Sequence, residues 1–435
     1  MRIAVLGGGL TGLTAAYYLS KKGCQVDIFE KEKVLGGLAC GFKQKNWDWY
    51  LERTYHHLFT NDNDIINFSK EIGFNKIFFQ KPETASLYNN SKLKTQKSKL
   101  ELKNKNYIIY PLDTPIDLLR FPLLSFFDKI RAGIILAFLK FSPFLPFFEE
   151  ETSVAFLKKT IGKRTYNLLF QELFRKKFGN FAENILLSFF WARIKKRTKD
   201  LGYIEGGFQE LINYLEKLLK DLGVKILTNY EIKEIRERKK KFIIDNNEFN
   251  VVISTLPTPV TTKISKKIFP ANFLQNFRKL SYLHALTLIL ETNKPILDKT
   301  YWLNISTPNV PIMVLVQHTN FIDKKYYGKK YLAYLGWYLK ENNKLWLMKN
   351  EELLNFILPY VKQFSNFQLL ISNYFIFRAL YAQPIFDKNF LKYKPNFFTP
   401  VKNFYMANLD MTYPYDRGTN YAVKLGKEMS KIINP

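Results

Sequence analysis

The sequence predicts an α/β protein organised around a parallel sheet, and three features of its first forty residues carry this prediction. An apolar run, Ile3 to Leu6, has the length and composition of a buried parallel strand. Three glycines in the spacing G-x-G-x-x-G follow it and lead into a helical segment. A second apolar segment, QVDIF, ends in an acidic residue. Strand, glycines, helix, strand and acid in this order predict a βαβ unit that binds a dinucleotide.

Each glycine of the turn has a separate physical reason. Gly7 permits the sharp turn out of the strand, and Gly9 leaves the backbone open to a pyrophosphate. Gly12 lets the helix lie close to the strand. The start of the helix, at Leu10 and Thr11, offers free N–H groups and a partial positive charge to the phosphates. A glycine-rich turn in another α/β fold is the alternative, and the order of the elements disfavours it.

The acid that closes the unit is Glu30, 18 residues after Gly12. A carboxylate at this place accepts hydrogen bonds from the hydroxyls of an adenosine ribose. We therefore expect Glu30, together with its neighbour Lys31, to contact the cofactor.

A second glycine pair, Gly36 and Gly37, follows six and seven residues after Glu30. With it the chain resembles the flavin-dependent amine oxidase superfamily, which includes monoamine oxidases, protoporphyrinogen oxidases, phytoene desaturases and, more distantly, UDP-galactopyranose mutases. The resemblance implies that the backbone of the pair lies against the pyrophosphate of FAD. Leu38, also an expected cofactor contact, stands where many relatives have Arg, so a charged contact to the phosphates is expected to be missing. An ordinary turn is the alternative.

Two later segments resemble the same family. The segment GYIEGGFQELINYLEKLLKDLGVKILTNYEIKEI has its helix, Gly-Val strand and I-x-x-I pair. The resemblance implies a backbone contact to the adenine near Glu231 or Ile232, and we expect Ile232 to bind the cofactor. The carboxyl-terminal segment NFYMANLDMTYPYDRGTNYAVKLGK has its strand, loop and helix. There Asn408 stands near the usual acidic residue, and Asn420 and Tyr421 are expected near the flavin ring.

The resemblance implies an FAD-binding Rossmann-like domain of the glutathione reductase type with an inserted α+β substrate domain. We expect the FAD-binding domain to comprise residues 1–60, 200–265 and 395–435. The substrate domain is expected at 61–199 and 266–394, as a mostly helical insert plus a β-sheet. Residues 81–112 favour strands and turns, and residues 113–200 favour helices. Because Cys24 and Cys40, the only cysteines, lie far from the carboxyl terminus, FAD is expected to be non-covalent.

The formal charge of +28 raises the hypothesis of a nucleic-acid partner. We expect none, because the lysines are scattered in a chain rich in Lys, Asn, Ile, Phe and Tyr. The dense cluster RERKKK is predicted to be a solvated hairpin. No metal-ligand spacing is present, so no metal site is expected. The basic residues of WARIKKRTKD have two interpretations, as surface residues or as contacts to an anionic substrate.

The most lipophilic stretch, residues 121–148, has uncharged runs of only eight residues, too short to span a bilayer. Core burial, a substrate tunnel and contact with a membrane surface all stay open. Two cysteines without a C-x-x-C spacing fit a reducing compartment. We expect a cytoplasmic protein, with peripheral contact to the cytoplasmic membrane face as an open alternative.

Three residues are candidates for catalysis. His57 lies beside His56 in YHHLFTND, a segment that the resemblance places under the flavin ring or near the substrate. His318 and Tyr381 are polar groups between apolar runs and are candidates for the pocket wall. For each of them, hydrogen bonding within the fold is the alternative.

The resemblance implies an FAD-dependent oxidase, dehydrogenase or desaturase. Its substrate would be an apolar or aromatic molecule such as a porphyrinogen, an isoprenoid or an amine, with O₂ or a quinone as electron acceptor. The absence of a Ser/His/Asp arrangement in the sequence suits hydride transfer to a flavin. Two alternatives stay open: a UDP-galactopyranose mutase-like isomerase acting on a nucleotide sugar, and a non-catalytic electron carrier.

Overall fold

The computed structural model describes residues 1–89, 107–365 and 368–434. The predicted strands and turns at 81–112 therefore fall partly outside the described residues. The strands are β1 (Arg2–Leu6), β2 (Gln25–Phe29), β3 (Gly41–Phe42), β4 (Leu51–Glu52), β5 (Leu58–Phe59), β6 (Ile77–Gln80), β7 (Glu83–Asn89), β8 (Tyr107–Pro111), β9 (Leu201–Ile204), β10 (Lys225–Leu227), β11 (Arg236–Arg238), β12 (Lys241–Ile244), β13 (Asn247–Phe249), β14 (Val251–Ser254), β15 (Tyr282–Thr292), β16 (Thr300–Ile305), β17 (Val314–Gln317), β18 (Tyr331–Leu339), β19 (Ile371–Pro384) and β20 (Phe404–Met406).

The α-helices are α1 (Leu10–Lys21), α2 (Asn63–Glu71), α3 (Pro115–Arg120), α4 (Phe126–Phe141), α5 (Phe147–Glu150), α6 (Ser153–Ile161), α7 (Lys163–Leu169), α8 (Gln171–Phe178), α9 (Leu187–Lys196), α10 (Phe208–Asp221), α11 (Thr258–Ile264), α12 (Ala271–Phe277), α13 (Lys344–Leu347), α14 (Asn350–Lys362), α15 (Lys388–Tyr393) and α16 (Thr419–Ile432). Short 3₁₀ helices lie at Gly37–Ala39, Gly179–Asn184, His318–Asn320, Lys324–Tyr327 and Leu409–Thr412.

A five-stranded parallel sheet confirms the predicted α/β fold class. Its order is β10-β2-β1-β14-β20, so strands from three distant parts of the sequence pair side by side. The apolar side chains of β1 and β14 are fully buried, as expected for central strands covered on both faces. The carboxyl ends of these strands form the edge at which α/β sheets bind their ligands.

A seven-stranded sheet of order β19-β15-β18-β17-β16-β7-β8 contains the predicted apolar strands ALTLILET and YLAYLGWYL. One face packs with α14 in an apolar core that includes Leu288, Leu335 and Ile357. Because side chains alternate along a strand, the other face carries Trp302 and Tyr334. That second face belongs to the core that also holds β1 and α1.

Helices α3–α9 form the insert predicted between 113 and 200, and α4 leaves much of its apolar surface uncovered. The Phe127 side chain is 83% exposed and that of Phe141 is 79% exposed. Ala132 and Leu139 lie on the buried face of the same helix. Core burial therefore accounts for only one face of this lipophilic stretch. Within the described ranges, we find no helix whose length and apolar character would let it cross a bilayer.

Two local features show how the sequence fixes the packing. The cluster RERKKK forms the predicted hairpin, since β11 and β12 pair antiparallel around Lys239 and Lys240. Helix α16 crosses the start of α1 at Gly426, where an added Cβ would lie 2.5 Å from the carbonyl oxygen of Thr11. Only glycine permits the two helices to approach so closely.

Glu52 is buried in the core, and its carboxyl group accepts hydrogen bonds from the Tyr203 hydroxyl at 2.6 Å and the Phe208 N–H at 2.7 Å. Burial raises its pKa to about 7 despite these bonds. The folded protein therefore holds this proton at pH values where the unfolded chain, with a pKa near 4.5, has lost it. Stability is accordingly lost as the pH rises from about 4.5 through about 7.

We therefore expect Glu52→Gln to stabilise the protein at pH 8 relative to wild type, because Gln keeps the neutral donor and acceptor pattern. The difference in Tm between variant and wild type should grow by about 2 °C or more from pH 5 to pH 8. Thermal unfolding at both pH values measures it. Glu216→Gln, which removes a carboxylate paired with Lys220 on the helix surface, serves as control. A difference that is the same at both pH values would contradict the assignment.

Candidate functional site

The glycine turn after β1 lies at the carboxyl edge of the parallel sheet and adopts the geometry that its sequence predicts. Gly7 has a φ of 106°, a conformation that favours glycine. Gly12 packs so tightly against this turn that an added Cβ would lie 2.1 Å from the Gly7 carbonyl oxygen. Gly12 is therefore a requirement of folding rather than of ligand binding.

The second glycine pair comes to the same place. The Gly36 N–H donates to the Gly8 carbonyl at 2.8 Å, and Gly9 and Gly36 form an isolated parallel bridge. A Cβ built on Gly37 would lie 3.3 Å from the Gly9 Cα. The backbones of the two segments thus face each other without side chains between them. Gly9 itself has room, because a Cβ there would lie 3.9 Å from the Gly37 Cα.

Glu30 is buried at the end of β2 and is held in place by the turn. Its Oε2 accepts the Gly8 N–H at 2.8 Å, and its Oε1 accepts the Glu32 N–H at 2.9 Å. The chain that follows the adjacent strand β10 passes beside Glu30, where the Tyr230 N–H donates to the Glu30 carbonyl at 2.8 Å. Two residues later Ile232 buries its side chain against the face of the sheet that contains Phe29. The predicted ribose and adenine contacts therefore come together on one edge.

The first turn of α1 adds positive character. Its N-cap is Gly9, which has no side chain to cap the helix, and the turn contains no acidic residue. Leu10 is buried in the core and Thr11 nearly so, so the backbone N–H groups are what this turn can offer to a ligand. This glycine-lined cradle with a buried carboxylate at its end fits an ADP moiety.

Two further cofactor candidates near this edge, Lys31 and Leu38, differ in their surroundings. Lys31 is exposed and lies 3.7 Å from Glu32, while Leu38 packs against the helical insert. The Leu38 carbonyl accepts the Thr54 hydroxyl at 3.1 Å, which ties the second glycine segment to the strand that precedes the histidine pair. Their contacts with a cofactor stay predictions.

The carboxyl-terminal candidates are Asn408, which follows β20, and Asn420 and Tyr421, which lie in the first turn of α16. Asn408 is buried, and its Nδ2 donates to the Leu256 carbonyl and the Thr258 hydroxyl, both at 3.0 Å. Asn420 is also buried and its Oδ1 accepts the Asp64 N–H at 2.9 Å, which caps α2. Both amides therefore have structural partners, and their predicted cofactor contacts stay predictions.

Tyr421, in the first turn of α16, stacks on Tyr415 with ring centroids 4.9 Å apart. Its hydroxyl is buried and has no hydrogen-bond partner among the described residues. A buried polar atom of this kind is costly unless a ligand satisfies it. The observation fits a bound group beside the start of α16, as the sequence predicts.

The histidine pair lies between the seven-stranded sheet and the insert. His57 contacts the ring of Trp302 and lies 3.5 Å from the Tyr301 hydroxyl. Burial, and secondly the charge of Arg197, lowers the His57 pKa to about 3. His56 binds the Thr54 carbonyl through Nδ1 at 2.7 Å, and burial lowers its pKa to about 4. Both imidazoles are therefore neutral at pH 7.

His318 lies in the core rather than on an open wall. Its side chain is packed among the rings of Tyr203, Tyr327 and Tyr334, and its Nε2 lies 2.8 Å from the Tyr327 hydroxyl. Burial lowers its pKa to about 3. The predicted catalytic role stays a prediction, and this environment favours a structural one.

Tyr381 sits at a bulge between β15 and β19 and has a φ of 55°, which is unusual for a side chain of this size. Its N–H donates to His284 Nδ1 at 2.9 Å, and its ring packs on Tyr282 at 5.6 Å. The Tyr282 hydroxyl donates to Asp410 at 2.7 Å, which connects the bulge to the carboxyl-terminal loop. Backbone strain of this kind is found at functional sites, so the pocket role of Tyr381 stays a prediction.

A group of basic side chains lies beside the histidine pair. Asp416 accepts Lys177 at 2.8 Å and also binds Arg193. Arg417 donates to the Ala382 carbonyl at 2.8 Å and to the Tyr338 hydroxyl. We call Lys177, Arg193, Asp416 and Arg417 the basic cluster. Sequence reasoning pointed to Arg193 only through the basic run WARIKKRTKD, because the other members come from distant segments.

Gly336 is a second feature that sequence reasoning missed. An added Cβ on this β18 residue would lie 2.7 Å from the ring of Tyr55. The Tyr55 hydroxyl interacts with that of Tyr338 and with the charges of Arg417 and Arg193. The signal available in the sequence was a lone glycine within an apolar strand, which marks close approach of another group.

The parallel sheet and the glycine turns at its edge define a dinucleotide-binding protein with a second, seven-stranded sheet. The profile of the family described as flavin containing amine oxidoreductase matches residues 10–433. The chain therefore belongs to this family of FAD-dependent oxidoreductases, and the prediction from the sequence is confirmed.

Three similar proteins show the range of relatives. A 15-cis-phytoene desaturase of Synechococcus elongatus is 36% identical over 72 residues, which cover 17% of this chain and 15% of the desaturase. A 4,4'-diaponeurosporene oxygenase of Staphylococcus aureus is 22% identical over 301 residues, which cover 60% of this chain and 56% of the oxygenase. The likeness thus spans less than two thirds of either relative. The crystal structure of reduced UDP-galactopyranose mutase has a TM-score of 0.72 at 14% identity, covering 99% of this chain and 93% of the mutase.

Two glycine variants separate ligand binding from folding. Gly9→Val should give a folded but colourless protein, because its side chain enters the cradle without striking the backbone of the turn. Gly12→Ala should lower the Tm or the yield of folded protein, because its Cβ meets the Gly7 carbonyl. Circular dichroism and the flavin absorbance of the purified variants measure both. A yellow Gly9→Val protein would contradict the placement of the pyrophosphate.

Proposed function

We propose that the protein uses non-covalently bound FAD to remove a hydride from a substrate held between the flavin and the seven-stranded sheet. The observation that carries the proposal is the cradle of Gly9, Gly37 and Glu30. The hydrogen bond from the Thr54 hydroxyl to the Leu38 carbonyl connects this cradle to the segment of the histidine pair. Residues of β16 and β18 line the opposite side of that segment.

Bound FAD would supply the electron acceptor for the hydride. The residues on the sheet face orient the substrate and exclude water, and Trp302 and Tyr55 provide aromatic surface there, with their rings 5.0 Å apart. The neutral imidazole of His57 acts as a hydrogen-bonding partner rather than a cation at pH 7. The likeness to a phytoene desaturase and a diaponeurosporene oxygenase favours an apolar substrate. O₂ or a quinone as electron acceptor stays a prediction from the sequence.

The non-covalent state of FAD follows from the cysteines. Cys40 is buried three residues after Gly37, and burial raises the pKa of its thiol. Cys24 is buried at the beginning of β2. Neither thiol is suited to attack a flavin. Acid precipitation should therefore release all of the flavin into the supernatant, and yellow colour in the washed pellet would show that this part is wrong.

Anaerobic reduction of the bound flavin tests the reaction. The purified holoenzyme is mixed with a porphyrinogen, a prenyl lipid and an aliphatic amine in turn, and the loss of flavin absorbance is followed. Bleaching by one of them supports hydride removal. His57→Ala should keep the flavin and slow bleaching about tenfold or more if His57 positions the donor. His284→Ala, which changes the histidine at the bulge, is the control. Equal rates of bleaching in the two variants would show that His57 does not position the donor.

A second candidate is an isomerase that acts on a nucleotide sugar with reduced flavin. The basic cluster beside the histidine pair favours it, because such a substrate carries a diphosphate. Incubation of the dithionite-reduced holoenzyme with UDP-galactopyranose tests it. Turnover only after reduction would select the isomerase, whereas no turnover together with bleaching by a donor would exclude it.

We also propose that the exposed face of α4 rests on the surface of a bilayer. Its uncovered apolar side chains, with exposed fractions from 39% to 83%, are Phe126, Phe127, Ile130, Ile134, Phe138 and Phe141. Of the basic residues on this helix, Arg131 is exposed and Lys129 is half-buried, and both can approach anionic headgroups, whereas Lys140 donates to carbonyls of α9. A helix with this pattern lies in the interface of a membrane rather than across it.

Flotation with phosphatidylcholine and phosphatidylglycerol vesicles tests this contact. The double variant Phe127→Ser/Phe141→Ser should reduce vesicle binding at least about tenfold, because each buried Phe contributes roughly 1.5–3 kcal/mol. Leu347→Ser removes an apolar side chain that is 69% exposed elsewhere and should bind as wild type does. Failure of the wild-type protein to float would overturn the membrane contact.

A further inference from the structure

The basic cluster carries more positive charge than the protein itself balances. Lys177 and Arg193 share a single carboxylate, that of Asp416. The Arg417 side chain donates to the Ala382 carbonyl and the Tyr338 hydroxyl, and lies 4.6 Å from the centre of the Tyr338 ring. The two arginines and the single carboxylate leave a formal charge of +1 when Lys177 is neutral and +2 when it is protonated. The side chains of Lys177 and Asp416 are only 14% and 23% exposed.

An excess of charge in such surroundings is costly unless a counter-ion is present. Burial, and secondly the charge of Arg193, lowers the pKa of Lys177 to about 7. Burial raises the pKa of Asp416, but the three cations lower it more, so the carboxyl stays ionised. The ion pairs with Asp416 are thus already formed, and the remaining positive charge faces aromatic rings: Lys177 lies 5.1 Å from the Phe189 ring and Arg417 lies 4.6 Å from the Tyr338 ring.

The surroundings add further positive character. The N-terminus of α16 follows directly after Arg417, with Gly418 as N-cap and no acidic residue in the first turn. Lys196 lies 5.8 Å from the ring of Tyr421, in that turn. The Asp64 carboxylate accepts the Asn420 amide at 3.2 Å in the same turn, so the positive character comes from the helix N-terminus, Lys196 and Arg417.

The position of the cluster assigns this charge to a substrate rather than to the phosphates of the cofactor. Lys177 and Arg193 come from α8 and α9 of the insert, and Tyr338 comes from the seven-stranded sheet. The glycine cradle is built from other elements, β1, α1 and β2, at the carboxyl edge of the parallel sheet. Arg193 is 41% exposed, so the cluster opens to the outside.

We propose that the substrate carries a phosphate or diphosphate group, which binds to Arg193, Lys177 and Arg417. This inference rests on the proposed function, because it places the remainder of the same substrate beside His57 and the flavin. Two arginines and a lysine suit the several oxygens of such a group, since a guanidinium donates two parallel hydrogen bonds. The ligand would use donors that Asp416 leaves free and would neutralise the excess charge.

Titration of the FAD-saturated holoenzyme with inorganic pyrophosphate tests the proposal, with calorimetry and the flavin spectrum as readouts. Arg193→Gln should raise the Kd at least about tenfold, the loss expected for one hydrogen bond to a charged group. Arg175→Gln is the matched control, because Arg175 pairs with Glu172 on the outer surface of α8, the helix that contains Lys177. Its Kd should stay within twofold of wild type.

The possible outcomes are distinct. If the protein retains no flavin at all, the proposed function fails. If flavin is retained but pyrophosphate does not bind, or binds equally to wild type and Arg193→Gln, the phosphate assignment alone fails. Binding of malonate without binding of pyrophosphate would overturn it in favour of a carboxylate. A shift in the flavin reduction potential in Arg193→Gln with unchanged pyrophosphate affinity would assign the cluster to the flavin.

Discussion

The close approach of two glycine segments is the constraint on which the rest of the structure depends. The turn at Gly7–Gly9 and the pair Gly36–Gly37 touch backbone to backbone, held by the Gly36 N–H on the Gly8 carbonyl at 2.8 Å. Glu30 secures the same turn by accepting the Gly8 N–H. A Cβ on Gly8 would lie 2.4 Å from the Leu35 side chain, and one on Gly37 would lie 3.3 Å from the Gly9 Cα. This contact positions the two segments at the carboxyl edge of the parallel sheet, where the pyrophosphate is predicted to bind.

The part of the protein around the seven-stranded sheet depends on a different kind of packing. Its seven-stranded sheet separates two apolar surfaces by the alternation of side chains, one packed on α14 and one turned toward the histidine pair. At Gly336 the second surface loses its side chain and Tyr55 fills the space. The segment that follows the second glycine pair therefore lies directly on the sheet. This contact couples the nucleotide edge to the surface that would hold a substrate.

Local sequence order predicted the nucleotide edge well, because β1, the glycine turn, α1, β2 and Glu30 follow one another within thirty residues. The resemblance led us to expect the segments of β10, β14 and β20 in one domain with β1. An apolar run of three or four residues does not by itself determine which strand it pairs with. His318 shows the limit of such reasoning. A histidine between apolar runs has the same pattern whether it lines a pocket or, as here, binds Tyr327 in the core. The basic cluster could not be predicted from the sequence, because Lys177, Arg193 and Arg417 come together only through tertiary packing.

Helix α9 connects the two surfaces from which substrate properties are inferred. Lys195 of α9 donates to the Ser142 carbonyl at 3.0 Å, and Lys140 of α4 donates in return to the Lys195 carbonyl at 3.1 Å. The carboxyl ends of the two helices are thus fixed to each other, with exposed Phe141 on one side. Arg193, two residues before Lys195, belongs to the basic cluster. Helix α9 therefore contributes Arg193 to the basic cluster and also holds the carboxyl end of α4, the helix with the exposed apolar face. The proposed membrane contact and the proposed phosphate site then become two consequences of the same packing between α4 and α9.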